Sequence, residues 1–198
     1  DTDPFFSTVL SIDNKKCVQL FVHTSSKYIW IMILRRESQS SIALESFIHE
    51  IGAPELLVSD NSKNQKGKAW KKITTRFLIK HAFTAPMNQN QNYAEIIIGT
   101  IKTHIFQMLW LAQAPIEFWS YAAQHAVDIW NFTAKKSINW RTPIERLFGN
   151  TPDISMFRFY FFQPVWYFEP MTKFPHHPFK TGYFLGVAWD HGDPFTYK

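Results

Sequence analysis

Three short runs of apolar and β-branched residues open the chain, Phe5–Ser11, Cys17–His23 and Tyr28–Leu34, and the polar turns between them are tight. Asp13-Asn14-Lys15 and Thr24-Ser25-Ser26 are too short to carry a crossover helix, so consecutive runs must pair antiparallel as a meander. The period then changes. Ile42, Leu44, Phe47, Ile48 and Ile51 recur at helical spacing behind N-cap candidates at Ser38–Ser41, and Gly52 and Pro54 end that helix. A short strand, Glu55–Ser59, runs into Asp60, followed by a helix over Lys68–Lys80 and a strand over His81–Thr84. The polar loop Pro86–Gln91 precedes a long helix from about Asn92 to Leu111, and Pro115 opens another that carries Trp119, Ala122, Ala126 and Trp130. Three strands, a helix, a strand and further helices predict a mixed α/β domain over residues 1–150. After Thr151-Pro152 the residues turn densely aromatic with turn signals, which predicts a small β-rich segment over 151–198.

The content of the chain narrows what such a domain can do. Hydrophobic residues make up 45%, enough for a core, and no apolar run reaches the roughly 20 residues that cross a bilayer. A single cysteine, Cys17, excludes a disulfide scaffold and any cysteine-based zinc site within these residues. The net charge of +5 suits a polyanionic partner. Its distribution says more: Lys63, Lys66, Lys68, Lys71, Lys72, Arg76 and Lys80 fall in a stretch without one acidic residue. A solvated helix face and a phosphate-binding face both fit that stretch.

Three carboxylates are placed to converge. Asp3 enters the first strand, Asp60 follows the fourth, and Glu95 lies in the first turn of the long helix. Metal-dependent phosphoryl transfer needs such a set, because magnesium prefers carboxylate oxygen and two or three acids from different elements suffice to hold it. At 100° per residue, Ile97, Ile101, Ile105 and Met108 form an apolar stripe, whereas Glu95, Gly99, Lys102 and Phe106 line a separate one. Each acid also has a plain structural reading: Asp3 as a polar residue at a chain end, Asp60-Asn61 as a turn pair, Glu95 as a partner of the helix dipole. Asp1, two residues before Asp3, competes for the first position.

Leu57-Val58-Ser59-Asp60-Asn61 and Asn88-Gln89-Asn90-Gln91-Asn92-Tyr93-Ala94-Glu95 resemble the second and third catalytic motifs of copia-type retrotransposon integrases, and Asp3-Pro4-Phe5-Phe6-Ser7 resembles the first. The resemblance continues through Trp119-Ser120-Tyr121-Ala122, Gly149-Asn150-Thr151-Pro152-Asp153-Ile154-Ser155 and Leu185-Gly186-Val187-Ala188-Trp189. It implies an RNase H-like core whose catalytic and metal-binding residues are Asp3, Asp60 and Glu95. It further implies Mg²⁺ or Mn²⁺ as a two-metal cofactor, and 3′-end processing and strand transfer on DNA. Lys102 matches a position that would touch element-end DNA, and the acid-free basic stretch offers Lys63, Lys66, Lys68, Lys71 and Lys72, with Asn92, as further candidate nucleic-acid contacts. The expected partners are element-end and target DNA and further copies of the chain, with no membrane and with nuclear action. An RNase H-like nuclease and a non-catalytic, nucleic-acid-binding relic of a transposable element are the alternatives.

Among the remaining candidates, His176-His177 between two prolines reads as a solvated loop, Cys17 as core, His125 as a satisfied packing histidine and Trp70 as packing beneath its helix.

Overall fold

The computed structural model describes residues 1–60, 65–84, 93–191, 193 and 195–198. Lys63, Asn92 and the loop Pro86–Gln91 lie outside the described residues. Five strands form one sheet: β1 (Thr2–Phe6), β2 (Cys17–Val22), β3 (Ile29–Leu34), β4 (Leu56–Ser59) and β5 (Lys80–Phe83), in the order β3-β2-β1-β4-β5. The first three are antiparallel, as their short turns require, and β4 joins β1 in parallel before β5 joins β4 in parallel. This is the mixed sheet flanked by helices that the sequence predicts.

Alternation along the strands divides the core in two. Val18, Leu20 and Val22 of β2, with Ile29 and Ile31 of β3, pack on the helices α3 (Tyr93–Leu111) and α4 (Trp119–Phe132). Cys17, Phe21 and Leu34 face the other way, onto α1 (Ser40–Glu50) and α2 (Lys68–Arg76). All six residues of β2 are buried, which is why that run reads as continuously apolar. Trp70, 1% exposed, anchors α2 on this second face, and its indole N–H donates to Ser40 Oγ at 3.0 Å. It is packing, as its setting in the sequence suggests, and Cys17 is core.

Two boundaries differ from expectation. β1 spans Thr2–Phe6 rather than Phe5–Ser11, because Ser7 N–H donates to Lys16 O and Ile12 N–H to Glu117 O, which fold residues 7–16 into a loop against the start of α4. α2 stops at Arg76 instead of Lys80, because Leu78 takes φ 55° and turns the chain so that Lys80 can pair with Leu56. A short helix, α5 (Pro143–Phe148), follows α4, capped by the Thr142 hydroxyl at its start and by Gly149 at φ 86° at its end.

Beyond residue 151, β6 (Pro164–Phe168) and β7 (Phe179–Tyr183) form the hairpin that the aromatic segment supplies. Residues flanking the hairpin return to the main body. Phe161 joins the α3–α4 core, Phe184, Val187 and Ala188 are buried, and the Trp189 indole N–H donates to Asp128 Oδ2 at 3.0 Å. Among the described residues, no helix is long and apolar enough to cross a membrane.

Candidate active site

The sheet topology brings Asp3 and Asp60 together. Thr2 pairs with Ser59 across the parallel β1–β4 junction, so the next residue is Asp3 on one strand and Asp60 at the end of the other. Strand alternation also fixes their face. Phe5, in phase with Asp3, sits in the α3–α4 core, while Leu57, in phase with Ser59 and out of phase with Asp60, sits in the α1–α2 core. Both acids therefore belong to the α3 side of the sheet. On that side Val58 and Ala82 are only half-buried.

Helix α3 presents its predicted polar line there. Glu95, Gly99, Lys102 and Phe106 are exposed while Ala94, Ile97, Ile98, Ile101 and Ile105 are buried, so the helical phase read from the sequence holds. The Lys102 ammonium lies 5.5 Å from the centre of the Phe5 ring, which sets this line beside β1. Electrostatics report the same convergence: burial pushes the Asp3 carboxyl up to about 7, the charges of Asp60 and Glu95 push it the same way, and Lys102 opposes them. A carboxylate held half-protonated near neutrality by burial and like charges is a usual mark of a functional site.

The charges of Asp60 and Glu95 reach Asp3 without the three acids crowding into one coordination sphere. Among the described residues, no three His, Cys, Asp or Glu side chains stand close enough to form a metal cluster. The residue types nonetheless suit a hard divalent cation: carboxylate oxygens from three elements, with charge repulsion that a cation would relieve.

The predicted basic residues separate into two groups. Lys102 shares the face of the acids. Lys66, Lys68, Lys71 and Lys72 are exposed, but they belong to the α2 layer across the sheet. Lys66 lies 5.2 Å from the Phe83 ring, which contacts His81, and His81 stacks on Trp70 under α2. Arg76 is held by Glu45 at 3.3 Å. Neither Lys63 nor Asn92 can be placed, since both are outside the described residues.

A trough of about 890 Å³ lies between β3, α4 and residues 185–190, with Asp128 and His125 on its wall. Asp128 accepts hydrogen bonds from Gln124 and Trp189, and burial pushes its carboxyl up to about 6. His125 packs among Phe157, Phe161 and Phe184 as expected, but it is not satisfied: among the described residues its buried Nδ1 has no hydrogen-bond partner, and burial depresses its pKa to about 4. The physical reason is that three aromatic neighbours offer its ring nitrogen neither donor nor acceptor. No local signal in the sequence announces this wall, which forms only when residues some 60 positions downstream fold back onto α4.

No family model matches the chain. The Retrovirus-related Pol polyprotein from transposon RE2 of Arabidopsis thaliana is 26% identical over 167 residues, a match that covers 77% of this chain and 11% of that polyprotein, so the chain spans about a tenth of the relative's length. Among solved structures, the HTLV-2 integrase catalytic core domain in complex with magnesium, in its dimeric form, superposes with a TM-score of 0.59 at 18% identity, covering 75% of this chain and 93% of that one. The simian T-cell lymphotropic virus intasome in complex with PP2A regulatory subunit B56 gamma gives a TM-score of 0.63 at 17% identity, covering 94% and 69%. At these identities the structural matches establish the fold, which is RNase H-like. That fold is shared with the catalytic core of a retroviral integrase, and the sequence match is to a transposon Pol polyprotein.

Proposed function

We propose that this chain is the catalytic core of a retrotransposon integrase that performs metal-dependent phosphoryl transfer on DNA, processing 3′ ends and joining them to target DNA. The observation that carries this reading is geometric: the β1–β4 pairing of Thr2 with Ser59 sets Asp3 beside Asp60, and α3 turns Glu95 and Lys102 to the same face of the sheet. Asp3, Asp60 and Glu95 would hold Mg²⁺ or Mn²⁺. The chemistry supplied at such a site is activation of a water or a 3′-hydroxyl and neutralisation of charge at the scissile phosphate. The protein's own part is positional. β1 and β4 fix two carboxylates side by side, α3 brings the third, and Lys102 offers a cation to a phosphate oxygen at the same face. The HTLV-2 relative was solved with magnesium and in dimeric and trimeric forms, and an intasome is a relative of the same fold. These support a divalent cofactor, DNA as partner and a multimer as the working form, with nuclear action following from a DNA substrate.

The test is strand transfer of an oligonucleotide duplex carrying element ends, with Mg²⁺ or Mn²⁺, by the wild type and by Asp60→Asn. Loss of at least about a hundredfold in rate with an unchanged circular dichroism spectrum is expected, the range seen when one electrostatic stabiliser of the transition state is removed. Metal-dependent activity that survives in Asp60→Asn would show that the triad is misassigned. A second reading, a non-catalytic nucleic-acid-binding relative, is favoured by the separation of the three acids. It predicts salt-sensitive DNA binding with no metal-dependent turnover in the wild type.

A further inference from the structure

Strand β3 is an outer strand of the sheet, and its outward backbone edge is closed at both ends and open in the middle. His23 N–H donates to Tyr28 O at 2.9 Å, which turns the even-numbered residues of this strand toward β2 and the odd-numbered ones outward. At one end the Asn131 amide accepts from Ile29 N–H at 2.9 Å and donates to Ile29 O at 2.7 Å, taking the place of a neighbouring peptide. At the other end Arg35 N–H donates to Gln39 Oε1 at 3.1 Å. Between them, the outward N–H and C=O groups of Ile31 and Ile33 have no protein partner among the described residues. Ile31 is only 7% exposed, and backbone groups so placed are normally paired.

These groups open onto the trough of about 890 Å³ whose far wall is α4 and residues 185–190. Its sign is the reverse of the chain's +5: Asp13, Glu50, Asp128 and Asp190 line it against Lys15 and Lys198, and although Lys198 pairs with Asp190 at 3.3 Å, the acids remain in excess. His125, 5% exposed and with Nδ1 unpartnered, lies on the same wall. A trough walled on its far side by α4 and residues 185–190 favours a single extended segment over the edge of a second sheet.

We propose that the β3 edge is a docking site for an extended, lysine- or arginine-bearing segment of a partner protein, which adds to the sheet beside Ile31 and Ile33 as a sixth strand. Main-chain hydrogen bonds to Ile31 and Ile33 supply the pairing, and the carboxylates of Asp128 and Asp190 select the basic side chains.

A fluorescent peptide alternating lysine and valine, with a glutamate–valine peptide as control, tests this on the intact chain by anisotropy, with amide exchange read at Ile31 and Ile33. The lysine peptide is expected to bind at least about tenfold more tightly than the control, and to slow exchange at both amides. Asp128→Asn with Asp190→Asn is expected to weaken it by about tenfold. Ile33→Pro, which removes an outward donor and no bond to β2, is expected to weaken it with an unchanged circular dichroism spectrum. Absence of binding overturns the proposal, as does equal binding of both peptides or binding without protection at Ile31 and Ile33. Loss of binding in Asp60→Asn but not in the Asp128/Asp190 variant would place the peptide at the other acidic site and overturn it too. Concentration-dependent protection of these amides without peptide would identify a second copy as the occupant, against the proposal.

Discussion

Replacing Asp3 by asparagine is expected to make the metal-free chain more stable while removing its response to magnesium. In the folded chain the Asp3 carboxyl ionises near 7 instead of 3.8, chiefly because it is buried and secondarily because Asp60 and Glu95 repel its charge. The unfolded chain lacks both penalties. A carboxyl whose folded pKa is raised contributes stability below the unfolded value and loses it as pH climbs from about 4 to about 7. The full gap corresponds to at most about 4 kcal/mol. Asp3 is partly open to water, so screening leaves about 1–2 kcal/mol. For a chain of this size that is a rise of about 2–8 °C in melting temperature for Asp3→Asn at pH 8. Scanning calorimetry at pH 4 and pH 8, with and without Mg²⁺, reads the effect directly. The variant's advantage should vanish at pH 4, and Mg²⁺ should raise the wild-type transition at pH 8 while leaving the variant unmoved. A variant less stable than wild type at pH 8, or a difference independent of pH, would refute the electrostatic picture of the triad.

Three further outcomes follow from the packing and charge. Asn131→Leu strips two hydrogen bonds from Ile29 and should destabilise the chain by about 1–3 kcal/mol in urea titration, more than an exposed asparagine on the same helix. His125 is held neutral by burial with its pKa down at about 4, so the unfolded chain takes up a proton first as pH falls below 6.5; stability is lost from there to about pH 4, and His125→Leu should flatten that part of the curve. Lys71→Glu with Lys72→Glu should weaken DNA binding across all sequences and lower the slope of log affinity against log salt by about 0.9 for each phosphate no longer neutralised, whereas Lys102→Glu should also abolish end joining.

The sheet was legible in the sequence because its cues are local. Tight turns dictated the meander, and the unbroken apolar run Cys17–Val22 announced a strand covered on both sides. Helical phase placed Glu95 and Lys102 on one line because that line depends only on α3 itself. Distant contacts decided the rest. The true span of β1 is set by Ile12 reaching Glu117, and the end of α2 by a left-handed Leu78 that lets Lys80 pair with Leu56. His125 looked satisfied because its aromatic neighbours lie some 30 to 60 residues away in the chain. Motif spacing nominates three acids but gives no separation between them, and it does not reveal that α2 carries its lysines on the opposite layer.

The parallel pairing of β1 with β4 has a consequence for how the molecule comes into being. β1 is the middle strand, with a locally formed hairpin on one flank and the β4–β5 pair on the other. Five residues thus act as a keystone: without Thr2–Phe6 the sheet falls into two unconnected halves. Seating that keystone closes a loop of more than fifty residues, the kind of long-range closure that slows folding. The same event sets Asp3 beside Asp60. A chain trimmed or capped at its first strand therefore cannot be an intact scaffold with a damaged site, and protection of β1 amides during refolding should appear in step with any metal response.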